Sequence, residues 1–518
     1  MPASQSSAAG GRGAPEQYKP GATGGAAADA HSRYLQGLRL LSAHRAAAAA
    51  DCLAGAATDL PTHEGVHVNL VRALLAAGQA QRALLAADAA LLLMPLHAEL
   101  HFSRGTALNA LGRPDAARPA LERAVALDPS HAPSRLNLGN ACVDLDDWAA
   151  AECHIRAALQ LDPTLPEALA SLGFVLTAQG RLPQAIAACE AAIARYPDFG
   201  QAHWNLATAL LLSGDFARGF AEYEWRKRHS RFGRDFPGLP GRAWTGDDPA
   251  GRIILVRAEQ GLGDTIQLAR YLPLIAERGG KPILACAPVL VPWLATLDGA
   301  TVVSNDRALP RYDAWIDMMS LPLVCGTRLD TIPAAAGYLR ADPDRMAQWR
   351  ARLPCGRKIG VAWAGNPAHG NDRRRSLPPQ AAARLAALCG EGAVNLQAGP
   401  RAGDTALPDL SPLLTDFAET AALIATLDLV VTVDTAVAHV AGALGVPCWL
   451  MLPFTPDWRW MLWRNDTPWY ASLRLFRQPK PGDWESVIEQ VRTALRRDGA
   501  PDRESRDTAR TTRSAPVN

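Results

Sequence analysis

Two aspartates, three consecutive arginines and one histidine hold the chemistry this chain could perform. Asp264 closes a glycine turn, Glu259–Asp264 (EQGLGD), directly after the strand-like run RIILVRA at 252–258. Asp434 follows the apolar run Leu429–Val433 and precedes the small-residue stretch Thr435–Ala443. A carboxylate held at a strand's end can take a proton from a hydroxyl. Arg373, Arg374 and Arg375 stand in the polar stretch GNPAHGNDRRRSLPP at 365–379, where guanidinium groups can clamp a phosphate. Thr435 and Ala436 open a helix, whose first N–H groups and partial positive charge suit an anion. His439 lies five residues after Asp434, either against such a ligand or as a hydrogen-bonded histidine beneath it. Each group also has a purely structural reading. Asp is a favoured helix cap, and an arginine run is commonly a solvated face.

The elements that must position these groups form strand–helix–strand units. Leu427–Pro453 reads as a buried strand, a helix ended by Gly445, and a second strand from Val446 to Leu452. Ligands of parallel sheets bind beyond the carboxyl ends of the strands, where Asp434 falls. The 252–258 strand should lead through Gly261 and Gly263, which let a backbone approach a ligand, into a helix over Thr265–Arg278. Gln267 lies on that helix. Ile266 occupies the place of a third glycine, so a dinucleotide fingerprint is incomplete, and the lysine of a P-loop is missing. Further strands are expected at 282–286, 301–303, 314–318, 358–364, 393–396 and 472–478, with helices at 344–352, 420–426 and 483–497. Asn366 and Gln397 follow two of these strands and are candidates to line a site. Trp458, Trp460, Trp463 and Trp469 make an aromatic cluster, read as core packing or as a stacking wall for a base or sugar.

The other half of the chain repeats. Pro61, Pro95, Pro129, Pro163 and Pro197 stand 34 residues apart. Gly105, Gly139 and Gly173 keep the same step, as do Ala83, Ala117, Ala151 and Ala185, and Ala90, Ala124, Ala158 and Ala192. Small residues at this period let paired antiparallel helices approach, and the prolines end each pair. The period resembles the tetratricopeptide repeat, with six units between about Ala30 and Arg231. Stacked pairs form a superhelix with a concave surface, read as a platform for a protein or peptide partner, or as a spacer. His63/His67 and His97/His101 have i, i+4 spacing, yet they recur with the repeat, which explains them without a metal.

Composition narrows the function. The 518 residues carry a formal charge of +2, which gives no reason to expect a nucleic acid partner. The nine cysteines are scattered, without metal or disulfide spacing, as suits a reducing cytoplasm. No apolar run reads as a transmembrane segment, and the N-terminus lacks the pattern of a secretory signal. The chain divides into a disordered segment at 1–29, a repeat array at 30–231 and a Pro/Gly-rich connector at 232–251. Two α/β halves follow at 252–345 and 346–498, then a tail at 499–518.

Three stretches together resemble glycosyltransferase family 9, best known for its heptosyltransferases: GLGDTIQ at 261–267, WAGNPAHGNDRRRS at 363–376 and VDTAVAHVAGALGVP at 433–447. The resemblance covers about residues 252–497. It implies a GT-B fold, two Rossmann-like halves facing across a cleft, with the acceptor on the first half and the nucleotide sugar on the second. The expected class is therefore α plus α/β, a repeat solenoid followed by a GT-B-like pair. By this resemblance Asp264 is the general base, Asp434 contacts the donor sugar, and Thr435 and Ala436 open the helix at the diphosphate. Arg375 stands where heptosyltransferases have a phosphate-binding lysine. Ala436 replaces the family's glycine, and the first half is short. The implied function is an inverting, metal-independent glycosyltransferase. It takes a nucleotide-diphosphate sugar as co-substrate, needs no other cofactor, and recruits its acceptor, a protein among the candidates, through the repeats. The alternative is a scaffold with an inert transferase-like half.

Overall fold

In the repeat region, glycine and alanine are found where helix meets helix. The structure, a computed structural model, describes residues 26–228, 238–333, 337–353 and 355–498. The expectations for 1–25, for Arg231 and the neighbouring basic stretch, and for the tail from 499 lie outside these residues. Six helix pairs follow in order: α1 (Ala26–Ser42) with α2 (Ala46–Asp59), α3 (Glu64–Ala76) with α4 (Ala80–Leu93), and α5 (Ala98–Ala110) with α6 (Pro114–Leu127). Then come α7 (Ala132–Asp144) with α8 (Trp148–Leu161), α9 (Pro166–Ala178) with α10 (Leu182–Arg195), and α11 (Gly200–Ser213) with α12 (Phe216–Tyr223). The eight periodic alanines are all fully buried. A methyl group on Gly139 would stand 2.7 Å from Ile155 of the partner helix, and Gly105 and Gly173 press in the same way on Leu121 and Cys189. The absent Cβ is what lets these helices touch.

The paired histidines serve the turns. His63 and His97 are N-caps, each accepting from the backbone N–H three residues on through Nδ1, at 3.3 Å. His67 and His101 reach back through Nε2 to the carbonyls of Pro61 and Pro95, at 2.7 and 2.9 Å.

The chain separates into two compact units. Among the described residues, one holds the repeats to Ala209 together with 225–228; the other holds Leu210–Glu224 with the residues from 238 to 498. Helix α12 continues the repeat in sequence, yet its Phe216 and Phe220 pack on Trp469 and Trp458, with ring centroids 5.7 and 5.6 Å apart.

The α/β unit contains two five-stranded, wholly parallel sheets. The first comprises β1 (Arg242–Ala243), β2 (Ile253–Arg257), β3 (Lys281–Cys286), β4 (Thr301–Ser304) and β5 (Ala314–Asp317), in the order β1-β5-β2-β3-β4. The second comprises β6 (Ile359–Ala362), β7 (Ala393–Asn395), β8 (Leu429–Val433), β9 (Cys448–Leu452) and β10 (Leu473–Arg477), in the order β10-β9-β8-β6-β7. Central β8 and β9 are buried throughout, as their unbroken apolar runs require. The architecture is a helical repeat solenoid followed by α/β sheets. Of the described strands, β1 alone was unforeseen, as was the helix Pro379–Cys389 among the longer helices; the two residues of β1 carry no strand signal and are held by pairing with β5.

The helix after β2 differs from expectation. It begins earlier, as α13 (Leu262–Leu268), passes through a 3-10 turn and resumes at Leu272–Glu277, with Pro273 in the first turn of the new segment.

Candidate functional site

Asp264 and Asp434 sit beyond the carboxyl ends of β2 and β8, one from each sheet. Asp264 is not an N-cap. Gly261 holds that position, and Asp264 lies within the first turn, its Oδ2 accepting from the Gly261 N–H at 2.6 Å. Asp434 is not an N-cap either. Thr435 occupies the cap of the Ala436–Leu444 helix, which ends at Gly445 with φ 75°. Asp264 thus serves the helix start from the N3 position, and Asp434 lies just before the cap.

Arg459 joins them. It lies in the turn Trp458–Trp460 after β9, which Asp457 caps by accepting from the Arg459 N–H at 3.1 Å. Its guanidinium pairs with Asp264, donates to Gln267 Oε1 at 2.5 Å and to Asp457 Oδ1 at 2.6 Å, and lies 4.3 Å over the Trp458 ring. Burial works to strip its proton, but the Asp264 and Asp457 charges more than offset this and hold the guanidinium charged. Burial pushes the Asp434 carboxyl up to about 6, with the like charge of Asp457 adding to it; Arg375, the Trp460 indole and Arg459 oppose the rise. Asp264, Asp434, Asp457, Arg375 and Arg459 therefore form one electrostatic cluster, with arginine between carboxylates.

His439 lies beneath it. Its Nδ1 is 2.8 Å from the Tyr470 hydroxyl, and its ring faces Trp460 at 5.5 Å. Burial, reinforced by Arg459, Arg270 and Arg375, drives its pKa well below the ordinary histidine range, so the imidazole is neutral. A methyl on Gly263 would stand 2.6 Å from His439 Cδ2. Gly263 therefore lets α13 pack on the Ala436–Leu444 helix, rather than admitting a ligand. Gly261 serves as cap. A second buried arginine, Arg270, donates to the Trp469 carbonyl at 2.7 Å and faces the Tyr470 ring at 4.6 Å.

Arg374 and Arg375 end a single helical turn, Asp372–Arg375, rather than a loop. Arg375 Nε is 3.4 Å from Asp372 Oδ1, and Asp372 also accepts from Ser376 Oγ at 2.9 Å, which fixes the arginine's stem. Two expected lining residues are engaged elsewhere. Asn366 closes a turn on the Ala368 N–H at 3.0 Å and is exposed. Gln397 Oε1 accepts from the N–H groups of Trp363 and Ala364, at 3.1 and 2.9 Å, and so ties off the end of β6. Gln267 is fully buried, and its Nε2 has no hydrogen-bond partner among the described residues. Among the described residues no group of three or more His, Cys, Asp or Glu side chains is gathered to hold a metal. Of the four tryptophans, Trp458, Trp460 and Trp469 are core, and only Trp463 is exposed, at 77%.

Sequence reading missed Arg459 and Asp457. A charged pair inside a tryptophan-rich run was the available signal, since an arginine amid buried aromatics must find carboxylates.

The comparisons agree with this layout. Residues 68–132, 106–166 and 172–224 match the family model "Tetratricopeptide repeat", and residues 409–463 match "Glycosyltransferase family 9 (heptosyltransferase)". The chain thus carries tetratricopeptide repeats and, further on, a region similar to glycosyltransferase family 9. The second match contains Asp434, His439, Asp457 and Arg459, while Asp264 and Arg375 fall outside it. Protein FlbA of Caulobacter vibrioides is 30% identical over 356 residues, 61% of this chain and 59% of FlbA. The chain thus spans rather more than half the length of that curated relative. Among solved structures, a thermophilic TPR protein of Thermus thermophilus matches at 24% identity and TM-score 0.32, over 35% of this chain and 99% of its own. MamA of Desulfovibrio magneticus matches at 22% and 0.30, over 33% and 97%.

Proposed function

We propose that this protein is an inverting glycosyltransferase that takes a sugar from a nucleotide-diphosphate donor and needs no metal ion. The observation that carries the reading is the pairing of Asp264, beyond the end of one parallel sheet, with the buried Arg459 guanidinium, whose charge also acts on Asp434 beyond the end of the other. In this reading the diphosphate lies on the first turn of the Ala436–Leu444 helix, against the Thr435 and Ala436 N–H groups, with Arg375 and Arg374 as counter-charge. Asp434 meets the donor sugar, and neutral His439 backs it. Asp264 exchanges Arg459 for an acceptor hydroxyl and accepts its proton. The hydroxyl oxygen bonds to the anomeric carbon, and the diphosphate leaves from the opposite face with the bonding electrons. Each preorganised donor at the leaving group contributes about 3 kcal/mol to lowering the barrier. The repeats recruit the acceptor, a protein or peptide. The same reading puts the protein in the cytoplasm, where its nine cysteines stay reduced.

The test is calorimetric titration with ADP-, GDP-, UDP- and dTDP-sugars, with and without added divalent metal, on wild type and Arg375→Ala. One donor should bind without metal, and the substitution should weaken it roughly 10-fold or more. Asp264→Ala should keep donor binding and lose turnover. A second reading, a scaffold with an inert α/β half, is favoured by the Asp264–Arg459 pair and by the seating of Gly263 on His439, which occupy the base and bring the two helices together. Failure of wild type to bind any donor supports that reading.

A further inference from the structure

The second helix of the second repeat carries more exposed leucine than its place in the repeat requires. Leu85 is 61% exposed and Leu92 is 86% exposed, on the same side of α4 two turns apart. Leu93 beside them is 54% exposed, and Leu96, in the turn that follows, is 67% exposed. The 34-residue period supplies an internal control. In sequence, the position of Leu85 holds Asp51, Pro119, Cys153, Ala187 and Ala221 in the other five repeats; that of Leu92 holds Thr58, Ala126, Gln160, Ala194 and Arg228; that of Leu96 holds Thr62, Ser130, Thr164, Asp198 and Phe232. No other repeat places leucine at any of the three. The inward positions of the same helix, Ala83, Ala87 and Ala90, are fully buried and ordinary for the array. The leucines are thus additional to what folds the repeat.

We propose that this face is the contact between two copies of the chain. Its leucine surface comes to roughly 500 Å² per copy, so two copies would cover about 1,000 Å², the lower bound of a specific interface. Asp88, the charged residue between Ala83 and Leu96, is held by Arg104 at 2.6 Å. Arg82, one turn before Leu85, lies 3.8 Å from Asp51, so both charges at this face already have an opposite partner within their own copy and little is left to draw a charged partner. A two-fold contact sets each such patch on its equal, so one unusual repeat is enough to build it.

Sedimentation equilibrium of the full chain tests this. Wild type should be a dimer that dissociates on dilution. The triple variant Leu85→Asp, Leu92→Thr, Leu96→Thr takes each residue from the first repeat, where the same fold carries it. It should remain folded by circular dichroism and associate at least roughly 30-fold more weakly. Leu161→Asp, at an exposed leucine of another repeat, should leave association unchanged. Should the triple variant fail to fold, Leu92→Thr alone must weaken the dimer about tenfold or more. A wild-type chain that is monomeric at about 100 μM overturns the proposal, as does a dimer that none of these α4 changes weakens.

Discussion

Arg459 is buried between Asp264, Gln267 and Asp457, and every one of its nitrogens faces an oxygen. Removing one member of such a pair leaves the other charge stranded, which costs roughly 3–5 kcal/mol. Arg459→Met should lower the melting temperature sharply, and Asp264→Asn in the same chain should recover part of the loss. A thermodynamic cycle showing no coupling between the two positions would mean that the pair is not formed in solution. Asp434 makes a prediction of opposite sign. Its carboxyl is raised to about 6, so the folded state holds the proton more tightly than the unfolded one. The stabilisation from that proton is present below about pH 4 and is lost as pH rises through about 6. At pH 7 the charged Asp434 is a burden of at most about 3 kcal/mol. Asp434→Asn should therefore raise stability at pH 7 and leave it little changed near pH 4, as read from urea melts at both values. Under the proposed function it should also abolish donor binding. Stability gained where function is lost is the usual mark of a working site.

At the scale of elements, glycine decides which helices can touch. Gly263→Ala pushes a methyl into the His439 ring and should destabilise by about 1–3 kcal/mol. His439→Ala should relieve much of that, so the two changes will be far from additive. In the repeats, Gly105→Ala meets Leu121 in the same way, whereas Gly139 meets Ile155, and each should lower the melting temperature of the repeat unit. These glycines were visible in the sequence as a 34-residue spacing. Gly263 was visible only as a residue near a possible ligand. Its real neighbour, His439, lies far along the chain, on the helix that follows β8 of the other sheet.

For the whole molecule, the informative boundary is the one between repeat and α/β packing. Helix α12 has the sequence of a repeat, yet Phe216, Phe220 and Tyr223 are buried in the α/β unit. A chain beginning at residue 200 should fold its α/β unit. One beginning at 235 removes these aromatic rings from Trp458 and Trp469 and should melt many degrees lower, since each lost core Phe costs about 3–5 kcal/mol. Thermal unfolding of the two fragments checks this. Under the proposed function, the longer fragment should keep donor binding and lose transfer to the acceptor that the repeats recruit.

The repeat array, nine of the ten strands and the helix behind Asp434 were legible without coordinates, because each rests on local patterns: a fixed period, unbroken apolar runs, a glycine after a helix. The aspartates and arginines of the site were legible as residue types at strand ends. Their partners were not. Gln397 reads as a lining residue, but its oxygen takes up the free N–H groups at the end of β6, a choice that depends on how β6 and β7 end beside each other. Asp264 reads as a free base or a cap; its carboxylate takes the Gly261 N–H at the helix start and also the buried guanidinium of Arg459, from the turn after β9. Local preference and hydrophobic pattern act within one element and survive in the sequence alone. Charge pairing and close helix contact act between elements distant along the chain, so only the tertiary structure could decide them.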